Sequence, residues 1–145
     1  MAAYITKSSF SPFYGLLGNK QLSSDYDILQ FTRNGLSKHI LLTLAKKISI
    51  TIQELANIMH ISERTLQRYE DDAIVKSEYA EKAVELARLY TRGEEVFDSI
   101  DNFKTWMKTP SLVFNGNTPL SLLDTSVGFH MVFTELGRIE HGIFA

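Results

Sequence analysis

The amino-acid sequence predicts an all-α fold, and three observations support this prediction. Proline and glycine cluster in residues 12–18 and 110–119, which leaves a long intervening stretch almost without helix breakers. Within that stretch apolar residues recur at helical spacing, and no segment shows the sustained period-two alternation of a half-buried strand. The chain has 145 residues, an apolar fraction of 44% and no cysteine, so it fits one compact domain or two small ones without disulfides.

Four helices are predicted in the first two thirds of the chain. Residues 36–44 and 52–59 each carry apolar side chains on one helical face. A third helix begins after Ser62, whose hydroxyl can accept hydrogen bonds from the amides of the first turn. A fourth is expected over residues 77–92, with Gly93 as a break or kink.

Shorter elements are predicted after this helix. Residues 103–109 continue as a short helix, and residues 115–117 (Asn-Gly-Asn) form a turn. Pro119 suits the first turn of a following helix. The last apolar stripe ends at Gly137 or soon after and consists of Phe129, Val132, Phe133, Leu136 and Ile139. Gly128, within this stripe, would let another backbone approach closely.

Charge is segregated along the chain, although the net charge is only −2. Residues 33–69 carry six basic and two acidic side chains, whereas residues 70–101 carry ten acidic and four basic ones. A basic segment followed by an acidic one indicates two modules with different partners, and a solvated acidic helix face explains the second segment equally well. No apolar run approaches the roughly 18 residues of a membrane helix, so we expect a soluble, cytoplasmic protein without a membrane partner.

Residues 52–69 have the pattern of a helix-turn-helix unit, the two-helix motif that binds DNA in many regulators. Ala56 supplies the small side chain at which two helices approach closely, and the apolar residues that would seal the pair are Leu55, Met59, Ile61 and Leu66. The turn position usually holds glycine because it needs a positive φ; here it holds His60, and histidine is enriched in that region. A tight helical pair in a bundle that never touches DNA is the alternative interpretation.

If this unit binds DNA, its second helix presents polar and charged side chains to the major groove. Arginine and glutamine form bidentate hydrogen bonds to guanine and adenine, each worth about 1–3 kcal/mol of discrimination. The candidate DNA-binding residues are Ser62, Glu63, Arg64, Thr65, Gln67 and Arg68, with Lys38 added from the basic segment. One unit contacts few base pairs, so operator recognition implies a homodimer that reads two half-sites.

The sequence predicts no metal site, no cofactor and no enzymatic activity. The histidines lack ligand spacing, and without cysteine a structural zinc site is hard to assemble; they are His39, His60, His130 and His141. Residues 15–20 contain two glycines and a lysine but lack the spacing of a phosphate-binding loop. The carboxylate pairs at 71–72 and 94–95 are adjacent in sequence, so on a helix they point in different directions and make poor acid/base partners.

The C-terminal end is apolar, whereas chain ends are usually polar and frayed. It finishes with Ile143, Phe144 and Ala145. Apolar side chains at a chain end are expected to be buried against another surface, and two explanations remain open. The tail folds back on the protein's own core, or it inserts into a cleft of a partner.

Two sets of motifs can be compared with known families. The N-terminal set is shared with many repressors, whereas the C-terminal set is far more selective. The N-terminal set consists of Gly35-Leu36, Ile48-Ser49-Ile50, Glu54-Leu55-Ala56 and residues 61–68. The C-terminal set consists of residues 94–97, Trp106-Met107, Pro110, residues 117–120 and 122–125, Gly128, and residues 136–142. With these residues the chain resembles the Xre/MbcA/ParS antitoxins, the DNA-binding partners of RES-domain toxins, over about residues 25–145.

The resemblance implies an antitoxin that neutralises a RES-domain toxin and represses its own operon. In these antitoxins the C-terminal end blocks the entrance of the toxin's active site, so the expected toxin-binding residues are Arg138, Glu140, His141, Gly142, Ile143, Phe144 and Ala145. RES toxins consume NAD, so the implied effect is to preserve cellular NAD. A helix-turn-helix repressor that is not coupled to a toxin is the alternative.

Three domains are expected along the chain: an N-terminal extension over residues 1–24, a helix-turn-helix domain over residues 25–75, and a helical dimerisation and toxin-binding domain over residues 76–145. We expect dimerisation mainly through the C-terminal helices, because Gly128 and the aromatic residues Phe129 and Phe133 lie on one stripe.

Overall fold

The computed structural model describes residues 15–18 and 24–142, and within them the regular structure is helical, with two isolated bridges and no strand. The chain divides into two compact units with the boundary between Thr91 and Arg92. The sequence predicts this boundary after residue 75. It lies later because the long helix that begins at Ser77 contributes its first part to the N-terminal unit.

The N-terminal unit contains α1 (Asp25–Asn34), α2 (Lys38–Lys47), α3 (Ile52–Met59), α4 (Glu63–Arg68) and the first part of α5 (Ser77–Phe97). A hydroxyl side chain caps each of the first four helices and satisfies an amide of the first turn; the caps are Ser24, Ser37, Thr51 and Ser62. Thr51 and Glu54 form a reciprocal capping box. These caps explain why such short helices begin where they do.

The core of the N-terminal unit is built from aliphatic side chains that are almost completely buried: Leu36, Leu41, Leu44, Ile48, Leu55 and Leu66. The segment after α4 is tied to the start of α2 by backbone hydrogen bonds. The Val75 amide donates to the Leu36 carbonyl at 2.9 Å, and the Lys38 amide donates to the Ala73 carbonyl at 2.9 Å. The end of the helix-turn-helix is therefore fastened to α2.

The C-terminal unit contains the end of α5, α6 (Ile100–Met107), two 3₁₀ helices (Leu112–Phe114 and Leu120–Leu122) and α7 (Ser126–Glu140). An aromatic cluster packs at its centre, with ring centroids 5.4–6.2 Å apart, and consists of Phe97, Phe103, Trp106 and Phe114. The predicted turn is present, since Asn115 adopts a left-handed conformation with φ 57°. Pro119 precedes a 3₁₀ turn of three residues and not the α-helix expected there.

Two glycines in this unit give room to other groups. The break expected at Gly93 is wrong, because α5 continues to Phe97 and a Cβ at position 93 would lie 2.4 Å from the ring of Phe103. The close approach expected at Gly128 is present within the chain itself, since a Cβ there would lie 1.7 Å from the carbonyl oxygen of Leu122. Gly128 is therefore used for packing inside the unit and does not support dimerisation.

α7 runs through Gly137 to Glu140 and buries one face. Along this face Phe129, Val132 and Leu136 are buried, while Phe133 and Ile139 are only partly covered. None of the helices in the described ranges is long and apolar enough to cross a membrane.

Candidate functional site

The turn between α3 and α4 has the geometry that the helix-turn-helix pattern predicts. His60 ends α3 in the left-handed conformation, with φ 58° and ψ 44°. Ala56 is 2% exposed, and its carbonyl accepts a hydrogen bond from the Ile61 amide at 3.1 Å. Glycine would adopt this turn without steric cost, and histidine is one of the side chains that tolerate it.

The outer face of α4 is polar and exposed. Leu66 is 1% exposed and anchors the helix, whereas the six predicted DNA-binding residues of this segment are exposed: Ser62, Glu63, Arg64, Thr65, Gln67 and Arg68. The Ser62 hydroxyl accepts from the Thr65 amide at 3.0 Å and lies 2.8 Å from the Thr65 hydroxyl. Ser62 therefore fixes the start of α4.

The two arginines are the cations of this face. Within the described part of the chain the side chains of Arg64 and Arg68 form no hydrogen bond or ion pair. By contrast, the Gln67 amide lies 3.4 Å from the Glu63 carboxylate and donates to it. The helix thus presents two guanidinium groups that are available to an anionic partner.

Lys38 does not lie on this face, which corrects the expectation that it contacts DNA. Its side chain is buried with 8% exposure, and its ammonium donates to the carbonyls of Gln67 at 3.1 Å and of Tyr69 at 2.8 Å. The last carbonyls of a helix have no partner within it and carry partial negative charge, which a buried ammonium satisfies and balances. Lys38 therefore holds the C-terminal end of α4.

Replacing Lys38 with methionine is expected to destabilise the N-terminal unit by about 1.5–3 kcal/mol, the usual worth of hydrogen bonds to a charged group. The salt dependence of DNA binding should not change, since the ammonium does not reach a phosphate. Urea unfolding and binding titrations at several salt concentrations measure both quantities. Lys46→Met, which removes an exposed lysine of the same helix, is the control. A salt slope that is shallower by about 0.9 at unchanged stability would restore the DNA-binding role.

The predicted toxin-binding residues lie at the end of α7, and the structure describes four of the seven. Arg138 is exposed and lies 3.3 Å from the Glu135 carboxylate. His141 is exposed, and Gly142 is partly covered. Ile143, Phe144 and Ala145 lie outside the described residues.

Glu140 is held by an ion pair inside the C-terminal unit. Arg92 donates to both of its carboxylate oxygens, and one of these hydrogen bonds, from Nη1 to Oε2, is 3.0 Å long. The hydrogen bond from Arg92 lowers the pKa of Glu140, and the same hydrogen bond raises the pKa of Arg92. Glu140 therefore fastens the last turn of α7 to the start of the unit. Its partner is 48 residues away in the chain.

The C-terminal unit also exposes large apolar side chains that sequence reasoning missed. Leu112 is 95% exposed, Val113 48%, Val127 68% and Met131 41%. Val113 and Met131 line a groove of about 300 Å³ together with Phe114, His130, Thr134, Glu135 and Arg138. Helical spacing places Val127 and Met131 off the buried stripe of α7, but it does not distinguish them from other apolar residues on a helix surface.

Comparison with known proteins assigns both units. The model of the antitoxin Xre-like helix-turn-helix domain matches residues 27–88, and the model of the antitoxin Xre/MbcA/ParS C-terminal toxin-binding domain matches residues 92–142. A relative named "Antitoxin Xre" from Pseudomonas putida is 28% identical over 128 residues, which cover 88% of this chain and 79% of the relative. Another of the same name, from Yersinia enterocolitica, is 32% identical over 100 residues, 67% of each chain.

The two domain matches follow one another in the order that the resemblance predicts, and the second begins at Arg92, where the second compact unit begins. This is a family of regulatory proteins and not of enzymes. The chain belongs to the Xre/MbcA/ParS family of antitoxins.

Proposed function

We propose that this chain neutralises a RES-domain toxin that consumes NAD, and that as a homodimer it binds the operator of its own operon. The observation that carries the proposal is the division of the chain into two units, one matched by a helix-turn-helix domain and the other by a toxin-binding domain. Separate units allow DNA binding and toxin binding to be lost independently.

DNA binding is assigned to the exposed face of α4. Arg64, Gln67 and Arg68 offer the donors that read guanine and adenine in the major groove, and Ser62 and Thr65 fix the start of the helix. Three carboxylates lie shortly after α4, at residues 70–72. Because they repel phosphates next to the contact, affinity depends on few cationic contacts and on the pairing of two half-sites.

Toxin inhibition is assigned to the C-terminal end of the chain. Arg138 and His141 are exposed there, and the apolar residues 143–145 follow them. Glu140 has a different part in the proposal, because its carboxylate is engaged by Arg92. It fixes the last turn of α7, and direct contact with the toxin is assigned to the residues on either side of it.

The test is a co-expression experiment with a RES-domain toxin encoded beside the gene for this chain. The full chain should preserve cellular NAD and growth, whereas a chain that ends at His141 should not, because it lacks the residues assigned to the active-site entrance. Cellular NAD is the measured quantity. The fluorescence of Trp106, which lies in the aromatic cluster of the C-terminal unit, shows whether that unit of the shortened chain is folded. The shortened chain should also still bind operator DNA. If neither chain preserves NAD, the repressor without a toxin becomes the better explanation.

A further inference from the structure

One face of α7 is left uncovered by the fold of the C-terminal unit. Val127, Met131, Thr134 and Arg138 are exposed and are separated by four, three and four residues, so they lie on one side of the helix. We refer to these four residues as the α7 stripe. The other side of α7 is packed, with Phe129, Val132 and Leu136 in the core. The stripe therefore lies outside the core of the unit.

The α7 stripe is apolar at its start and charged at its end. Val127 and Met131 are 68% and 41% exposed, and Val113 extends the apolar area across the groove beside Met131. The stripe ends at Arg138, about 16 Å from Val127 at 1.5 Å per residue. Exposed apolar side chains that are grouped together and bordered by polar groups are typical of interaction sites.

We propose that the toxin docks on the α7 stripe and the adjoining groove at Val113. Two observations favour the toxin over a second copy of this chain. The stripe belongs to the unit matched by the toxin-binding domain model. It also leads along α7 toward His141, and so it is continuous with the C-terminal end assigned to the toxin's active-site entrance. A partner that covers that end also contacts the last turns of α7.

Docking on the stripe separates affinity from inhibition. The apolar residues Val127 and Met131 hold the toxin, and inhibition remains with the C-terminal end as assigned under the proposed function. This inference rests on the proposed function for the identity of the toxin. It adds the surface on which the toxin is bound.

The test uses the full chain and the purified RES-domain toxin, with affinity measured by calorimetry. Val127→Glu and Met131→Glu should each weaken toxin binding at least about tenfold, because a carboxylate would be buried against an apolar surface. Met131→Leu should keep the affinity. Asn102→Glu, which adds the same charge at an exposed position of α6, is the matched control. Circular dichroism and the fluorescence of Trp106 verify that the C-terminal unit of each variant is folded. Operator binding verifies the N-terminal unit.

The outcomes separate this inference from the proposed function. If the unaltered chain does not bind the toxin, both are overturned. If the unaltered chain binds and the two glutamate variants bind equally well, only the docking surface is overturned. If the variants keep their toxin affinity but light scattering shows that they no longer dimerise, the stripe is the interface between two copies. The chain that ends at His141 should still bind the toxin while failing to inhibit it.

Discussion

Replacing Arg64 and Arg68 together with alanine is expected to lower operator affinity about 100-fold or more, with toxin neutralisation unchanged. Each guanidinium is exposed on α4, and each good bidentate contact from such a group to a base is worth about 1–3 kcal/mol. Each single replacement should cost roughly tenfold. If either arginine neutralises a phosphate, the dependence of log affinity on log salt should also become shallower by about 0.9 for that arginine.

Titration with operator DNA at several salt concentrations measures both effects. Arg33→Ala is the matched control, since Arg33 is an exposed arginine in the last turn of α1 and is not assigned to the DNA-binding face. An unchanged affinity in the double variant would show that α4 is not the recognition helix. The NAD measurement with the same variants checks that the C-terminal unit still works.

Gly128→Ala is expected to destabilise the C-terminal unit by about 3 kcal/mol or more. The added Cβ would lie 1.7 Å from the carbonyl oxygen of Leu122 and 2.7 Å from its carbonyl carbon, and these backbone atoms cannot move aside as a side-chain tip would. Overpacking of this kind typically costs about 1–3 kcal/mol or more. Toxin binding should fall as the folded fraction of the unit falls.

The same helix offers a matched control for this prediction. Gly137 lies inside α7, and a Cβ there would meet nothing within 4 Å, so Gly137→Ala should stabilise the unit by roughly 0.5–1 kcal/mol through helix propensity. Urea unfolding can be followed by the fluorescence of Trp106, the single tryptophan of the chain, which lies in the aromatic cluster. A Gly128→Ala variant as stable as the original chain would contradict the packing described for Leu122.

Features that depend on neighbouring residues could be predicted from the sequence. The cap at Ser62, the left-handed turn at His60 and the burial of Ala56 are all fixed within a few positions of the chain. All the residues that determine these features therefore lie within a short window of the sequence. The family motifs added the order of the two domains, which helical periodicity alone does not provide.

Features that depend on distant residues were missed or misassigned. Gly93 resembles a helix breaker in its local context, but it makes room for Phe103 on another helix. Lys38 has the sequence context of a surface charge, although its ammonium is bound to carbonyls 29 and 31 residues later. Nothing in the local sequence of either residue identifies these partners.

Helical periodicity also could not predict which exposed side of a helix binds a partner. The apolar spacing of α7 identified the buried residues Phe129, Val132 and Leu136. It gave no reason to single out Val127 and Met131, since isolated apolar residues on a helix surface are common. The grouping of Met131 with Val113 becomes visible only when the 3₁₀ helix at Leu112–Phe114 is placed beside α7.

The ion pair between Arg92 and Glu140 has a consequence for the entropy of binding. Fixing the backbone of one residue costs about 1–2 kcal/mol of conformational entropy. If the last turn of α7 were frayed, a partner that binds there would have to supply this free energy. Because Arg92 holds Glu140, that ordering is completed when the unit folds. A partner at the end of the chain then binds a preorganised last turn, and its affinity is not reduced by the cost of forming it.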